Sequence, residues 1–334
     1  MQDLARSTEL KLPSGMTITT PLLVPSFSSK GFKVNRDGLS EVNEPLKTAT
    51  EILTESMLVS AYDLFHGYLI VEEYPTELVF VDSGGYETGD SHDFSAVWRH
   101  NHEVKQWTEE ELHEVLSGFP DHIDTVIVNF DHGALRRPVK EQIEAAKLFF
   151  SRYPNRIHDF ILKPETNGQQ YIQMESVLKH INDISEFHVI GVTEKELGNS
   201  LLKRMENIAL IRNELDKIDV SAPIHVFGSL DPITSCLYFL SGAEIFDGLT
   251  WLRYSYLNGN AIYNQNFGAT QIGINARDSK VQAKAIVDNV YYLQNLQLQM
   301  KSFQAKGDFS SFKYNAEFFK EAYDSLCAQL GGRY

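Results

Sequence analysis

Eight short apolar runs, with helical patterns between several of them, constrain this chain more than any other feature. Met16 to Pro25 alternates and then turns apolar, ending in Leu22-Leu23-Val24-Pro25-Ser26. The others are Ser56 to Tyr62, Leu78 to Asp82, Thr125 to Asp131, Phe160 to Lys163, Phe187 to Val192, Ile224 to Gly228 and Ile245 to Leu249. Near-continuous apolar strands belong to parallel sheets covered on both faces, whereas a one-sided sheet alternates. Between them, Glu141 to Arg152 carries Ile143, Ala146, Leu148 and Phe149, and Leu201, Met205, Ile208 and Leu215 fall at helical spacings. Asp231-Pro232 supplies an N-cap residue and a first-turn proline. Eight strands alternating with helices over roughly 250 residues predict an α/β chain of the (β/α)8 TIM-barrel type. An open doubly wound sheet is the alternative, but no G-x-G-x-x-G follows the first strand.

Residues 1–334 read as one such domain with two regions outside the repeat. Residues 83–124 are too long for a simple connection and predict an insertion or flap after the third strand. They contain His92, Asp93, His100, His102 and Trp107, and the histidine spacing matches no metal-ligand pattern. After the last strand, Ile286, Val290, Leu293, Leu296, Met300 and Phe303 step by three and four, and Ala316 to Leu330 repeats the pattern. Residues 278–334 therefore read as C-terminal helices packed on the barrel.

Composition narrows the function classes. With 43% hydrophobic and 22% charged residues the chain is an ordinary globular one. Asp3, Arg6, Glu9 and Lys11 interrupt the N-terminal stretch, so it lacks the apolar core of a signal peptide, and a cytoplasmic protein is expected. Cys236 and Cys327 are the only cysteines, too few for a disulfide framework or a cysteine-based zinc site. A net charge of −15 argues against coating nucleic acid by bulk electrostatics. Local clusters remain at Lys30, Lys33 and Arg36, at Arg136, Arg137 and Lys140, and at Lys301, Lys306 and Lys313; each alone reads as solvated surface charge.

Active sites of a (β/α)8 barrel lie at the C-terminal ends of its strands. Asp82, Asp131, Lys163, Gly191, Gly228 and Asp247 would gather on that rim. Val79-Phe80-Val81-Asp82-Ser83-Gly84-Gly85-Tyr86-Glu87 and Glu244-Ile245-Phe246-Asp247-Gly248 each carry an aspartate out of an apolar run into glycine. Two carboxylates facing one cavity are the minimal equipment for chemistry at an anomeric carbon: one attacks, the other moves the leaving group's proton. The glycines permit close backbone approach, Tyr86 offers a flat face to a base, and Asp131 can accept the N–H edge of a guanine-like ring. A strand-end aspartate before glycine is also a common turn or cap residue, and spacing alone does not separate glycosyl transfer from another barrel hydrolase.

Asp82-Ser83-Gly84-Gly85-Tyr86 resembles the signature of the tRNA-guanine transglycosylase superfamily, (β/α)8 enzymes that exchange guanine in a nucleic acid for a 7-deazaguanine. The likeness runs along most of the chain. Thr20 to Pro25 resembles its opening strand, Phe130-Asp131 the strand end that reads the base, and Ile190-Gly191 a glycine turn in the base pocket. His225 to Ser229 and Gly242 to Asp247 resemble the segments leading to the nucleophile. Gly307 to Phe312 is similar to its terminal helical region. The resemblance implies Asp247 as nucleophile on C1′, Asp82 as general acid/base, Ser83 and Asp131 holding the base and Tyr86 stacking on it. It places Gly84, Gly85, Gly191 and Gly228 around the base and Arg253 near the nucleic acid. The implied partners are a polynucleotide, with the target nucleotide single-stranded or flipped out, and a free 7-deazaguanine such as preQ0. A homo-oligomer or accessory modification proteins fit the same picture.

Two departures matter. Gly268 to Asn295, where the superfamily carries a cysteine-rich zinc loop, contains neither Cys nor His, so that structural zinc is expected to be absent and no cofactor is implied. Lys163 stands near where a glutamine commonly reads the base, so it would alter base preference or meet a phosphate. These departures tilt the expectation toward the branch that places 7-deazaguanines in DNA. The alternatives are a tRNA-guanine transglycosylase proper, a catalytically silent nucleic-acid-binding paralogue and an N-glycosidase.

Overall fold

Each of the eight apolar runs supplies one strand of a closed, all-parallel barrel. The strands are β1 (Leu22–Phe27), β2 (Ser56–Ser60), β3 (Leu78–Asp82), β4 (Asp124–Val128), β5 (Ile157–Leu162), β6 (Val189–Thr193), β7 (Ile224–Phe227) and β8 (Ile245–Gly248). β8 closes on β1 with Ile245 opposite Leu22 and Asp247 opposite Val24. The (β/α)8 fold expected from the sequence is therefore the fold of the chain. The computed structural model describes residues 4–89, 93–95, 104–131 and 136–331.

The strands are apolar on both sides because both sides are covered, yet their residues sort by parity. Leu22, Val24, Leu58, Leu78, Phe80, Val126, Val128, Ile161, Val189, Phe227 and Ile245 form one buried cluster, the barrel interior. Their neighbours Leu23, Val59, Val79, Val81, Ile127, Phe160, Leu162, Val192, Val226 and Phe246 join a larger cluster under the helices. Side chains two apart share a face. Asp82 thus continues the inward series of Leu78 and Phe80, and Asp247 that of Ile245.

Three details differ from the sequence reading. The alternating stretch before Leu22 is not part of β1: Thr17–Thr19 pairs antiparallel with Glu9–Lys11. Leu10, Leu12 and Ile18 of that hairpin join the interior cluster and stop the N-terminal end of the barrel. Asp231 does receive the N–H groups of Ile233 (2.9 Å) and Thr234 (3.1 Å), but the regular helix starts later, at Thr234–Leu240. Residues 83–124 are not wholly an insertion. Their last third is the ordinary barrel helix Glu109–Gly118, opened by a capping box between Thr108 and Glu111 and burying Leu112 and Leu116. Of the histidines noted there, His92, His100 and His102 lie outside the described residues.

The C-terminal helices Asp278–Lys306 and Ala316–Gly331 pack on the barrel. Asn289, fully buried on the first, holds the loop after β8: it accepts the Tyr256 N–H (2.7 Å) and donates to the carbonyls of Trp251 (2.6 Å) and Tyr254 (2.7 Å). The stretch from Gly268 to Asn295 contributes the end of helix Asn264–Gln271, a turn and the start of that long helix. No helix among the described residues is long and apolar enough to cross a membrane.

At the opposite end of β8 from the cavity described below, Glu244 and Arg212 form an ion pair of 3.0 Å with neither side chain exposed. Glu244 also accepts Thr20 Oγ1 at 2.8 Å, and Arg212 donates to the Ala222 carbonyl at 2.8 Å. Removing one partner of such a pair strands the other charge in a dry interior. Glu244→Ala should cost about 3–5 kcal/mol of unfolding free energy. A lowered denaturant midpoint with an unchanged slope checks this; an unchanged midpoint contradicts it.

Candidate active site

Asp82 and Asp247, leaving β3 and β8, line the same cavity. It holds about 940 Å3 of atom-free space, part of it open to solvent. Gly85, Tyr86, Asp131, Lys163 and Gly228 share its wall. Ser83, Gly84, Gly191 and Arg253 stand behind the lining.

The turn after β3 shows why its residue types are needed. Gly84 has φ +84°, in the left-handed region, and a Cβ there would lie 2.7 Å from Tyr62 Cβ and 2.8 Å from Trp107 Nε1. Its N–H donates to Asp82 Oδ2 at 3.2 Å. At Gly85 a Cβ would fall 2.1 Å from Asp131 Oδ1, so the backbone of this turn passes directly against the Asp131 carboxylate. Ser83, fully buried, donates its hydroxyl to that same Oδ1, which makes it a support for Asp131 and not a residue facing the cavity.

The carboxylates sit in contrasting surroundings. Asp247 accepts Ser26 Oγ at 2.8 Å on Oδ2 and the Gly228 N–H at 3.1 Å on Oδ1. His225 Nε2 is 3.3 Å from Oδ1, an ion-pair distance without hydrogen-bond alignment. Among the described residues Asp82 has only the Gly84 N–H, and burial, reinforced by the negative charges of Glu87, Asp131 and Asp247, pushes its carboxyl well above the usual range. Asp131 is the reverse: burial raises it, but Lys163 and the Ser83 hydroxyl more than offset that and hold it below its ordinary value. Burial likewise pushes the Glu87 carboxyl up, although Ser28 donates to it.

Lys163 is not a free cation. Its Nζ lies 3.0 Å from Asp131 Oδ2, 3.3 Å from Glu196 Oε2 and 3.0 Å from Thr193 Oγ1, while Arg136 binds the other Glu196 oxygen at 2.9 Å. Burial disfavours the ammonium, but the two carboxylates hold its pKa above the ordinary lysine value. Lys163 thus stands between the Asp131 and Glu196 carboxylates at the cavity wall.

Arg253 is enclosed by side chains of the cavity wall. Its side chain is 4% exposed and is taken up by Asp93 (2.7 and 2.9 Å), Ser95 (2.7 Å) and Tyr86 Oη (3.1 Å), so it ties residues 93–95 to the cavity wall instead of facing solvent. Tyr86 keeps its ring on the cavity, with Lys30 Nζ 4.4 Å from the ring centroid and donating to the Tyr86 and Gly89 carbonyls. Gly191 is buried one layer deeper: a Cβ would lie 2.7 Å from Phe227 and 2.8 Å from Asp159 Oδ1.

The sequence matches no protein-family model and no curated protein.

Several contributors escaped sequence reasoning. Ser26 was legible as a polar strand exit but not as the partner of Asp247. His225 and Asp159, both fully buried, form a 2.6 Å ion pair beneath Asp247. Glu196 and Glu87 follow strand-end motifs by a few residues. The available signal was parity: Asp159 is two residues before inward Ile161, and His225 two before inward Phe227.

A stability prediction follows from Asp82. Because its folded-state pKa is raised above 3.8, the unfolded chain releases this proton first as pH rises, and folding loses stability over that window. Asp82→Asn, which keeps an acceptor for the Gly84 N–H, should leave the unfolding midpoint unchanged below about pH 3 and raise it near about pH 8. A midpoint lowered at the higher pH would show that Asp82 is instead stabilised as an anion.

Proposed function

We propose that the chain is a base-exchange glycosyltransferase of the tRNA-guanine transglycosylase superfamily, replacing guanine in a polynucleotide with a 7-deazaguanine. The observation that carries this reading is one cavity shared by two carboxyl groups in opposed environments. Asp247 receives donors on both oxygens, while Asp82 is pushed toward its protonated form by burial and like charge. A carboxyl pushed toward its protonated form is suited to act as the acid, and a carboxylate oriented by donors on both oxygens to act as the nucleophile.

In the first step a carboxylate oxygen of Asp247 attacks C1′ and the C1′–N9 bond breaks. The bonding electrons leave with guanine, which takes its proton from Asp82. In the second step N9 of the incoming base attacks C1′, gives its proton to Asp82, and the ester electrons return to Asp247. Two displacements retain configuration. Asp131, held by Ser83 and Lys163, is the acceptor for the N–H edge of the base, and Tyr86 supplies aromatic surface. DNA is favoured over tRNA as the polymer, on the sequence departures at Lys163 and at Gly268 to Asn295.

The test is exchange chemistry in both polymers. Labelled guanine should leave DNA or tRNA only when a 7-deazaguanine such as preQ0 enters, and nucleoside mass analysis of the product identifies polymer and base together. Asp247→Asn should abolish a denaturation-resistant adduct between protein and polynucleotide. Guanine release into plain buffer would indicate a glycosidase instead, and an adduct persisting in Asp247→Asn would refute the nucleophile.

A further inference from the structure

Beneath Asp247 the barrel interior contains a second buried carboxylate that the exchange reaction does not use. Asp159, on β5, points inward between Ile157 and Ile161 with no exposed side-chain surface. Its Oδ2 lies 2.6 Å from His225 Nδ1, and its Oδ1 has no hydrogen-bond partner among the described residues. His225 is equally buried, and its other nitrogen faces Asp247 Oδ1 at 3.3 Å. Phe227 stacks on the imidazole at 3.8 Å between centroids, and Phe80 of β3 meets it edge-on at 5.4 Å. Gly191 of β6, paired in register with His225, contributes no side chain, and none would fit. Among the described residues, the charged groups facing His225 are therefore Asp159 from β5 and Asp247 from β8.

We infer that His225, held between Asp159 and Asp247, is a positioning residue that keeps a positive charge against the nucleophile and assists its departure in the second displacement. This rests on the base-exchange reading for its catalytic consequence, though not for the charge itself. With both carboxylates ionised, a neutral imidazole would leave two uncompensated negative charges in this apolar enclosure and a doubly protonated one leaves a single charge, so the contacts on both ring nitrogens favour the imidazolium, even though burial raises the Asp159 carboxyl. Burial alone would lower the His225 pKa, but Asp159 and then Asp247 raise it to about 9.

The charge acts unequally on the two steps. While Asp247 is a free carboxylate, the imidazolium lies against its anion. When Asp247 becomes a glycosyl ester that anion is gone and the imidazolium keeps only Asp159. Attack of N9 on C1′ breaks the ester C–O bond, and the electron pair returns to an oxygen beside a waiting cation. His225 therefore favours the free carboxylate over the ester and speeds breakdown of the intermediate. Asp159 fixes the ring from behind and supplies the second counter-charge.

The test combines a titration with a partition measurement on the full chain. In the unsubstituted protein, the ring nitrogen resonances of His225 should show a doubly protonated imidazole at about pH 8, and Asp159→Asn should turn it neutral at that pH. In His225→Gln, a neutral side chain, the fraction of protein trapped as polynucleotide adduct should rise. Overall exchange should fall by on the order of 10- to 100-fold, a scale borrowed from the loss of outer-shell partners that orient metal ligands. A packing role alone would lower activity without enriching the adduct. A neutral His225 at about pH 8 in the unsubstituted protein overturns the inference, as does an unchanged or reduced adduct fraction in a folded His225→Gln. If His225→Gln does not fold, the titration decides. That titration needs no substrate, so failure of the unsubstituted protein to form any adduct would sink the base-exchange reading while the imidazolium signal stands or falls separately.

Discussion

Closure of eight parallel strands into a ring is the constraint on which the rest of this molecule depends. It fixes which residue of each strand looks inward and which looks toward the helices, and it stacks the inward ones in layers. Lower down, those positions are Leu22, Leu78, Ile157, Val189 and Ile245, capped from below by the hairpin residues Leu10 and Ile18. At the upper rim the same parity delivers Ser26, Asp82, Lys163, Thr193 and Asp247. The site is thus built on the last layer of the core, whose geometry is inherited from the hydrogen-bonded register of the strands, and the segments that follow the strands add Tyr86, Asp131 and Glu196 to it. That is why Gly84 and Gly85 matter: the chain must leave β3 sharply and pass within side-chain distance of Asp131.

The intermediate layer is less ordinary. Asp159 and His225 place an acid and a base among the apolar side chains of the barrel interior, and Gly191 leaves the space they need. A buried ion pair gives little net stability over a well-packed apolar pair of the same shape. Its presence one layer below Asp247 therefore calls for a role in what Asp247 does. The donors from Ser26 and Gly228 fix the direction of that carboxylate, and the imidazole sets the charge behind it. Asp82, on the other wall, meets Glu87, Asp131 and Asp247 and the Gly84 N–H among the described residues. Two identical side chains thus face different surroundings across one cavity.

The eight strands and the C-terminal helices were legible because parallel strands buried on both faces leave apolar runs, and long surface helices leave a three-and-four stripe. The rim aspartates were legible for a related reason: each interrupts such a run at its end and is followed by glycine. Asp159 and His225 were not, since a continuous apolar run hides the parity that tells a core position from a helix-facing one. Arg253 and Ser83 show another limit. Their residue types fit nucleic-acid and base contacts, but burial and partners are tertiary facts: Arg253 is enclosed by Asp93, Ser95 and Tyr86, and Ser83 faces Asp131. The helix Glu109–Gly118 was available in the sequence, as Thr108 and Glu111 form a capping box, but the length of the surrounding connection masked it.

Charge places the last constraint on how a polynucleotide would use this cavity. The chain carries a net charge of −15, and the cations nearest the carboxylates are already committed. Lys163 lies between Asp131 and Glu196, Arg136 is on Glu196, Arg253 is on Asp93, and Lys30 donates to the Tyr86 and Gly89 carbonyls. Among the described lining residues there is thus no run of uncommitted arginines or lysines of the kind that binds a backbone by releasing counterions. Phosphate contacts position a strand, whereas contacts to the base specify it. On the base-exchange reading, the cavity is equipped to specify. A carboxylate pinned by Ser83 and Lys163 reads an N–H edge, Tyr86 gives an aromatic wall, and two aspartates of opposite disposition meet the sugar. Attraction to the polymer then has to arise at the outer rim, and discrimination inside the barrel mouth.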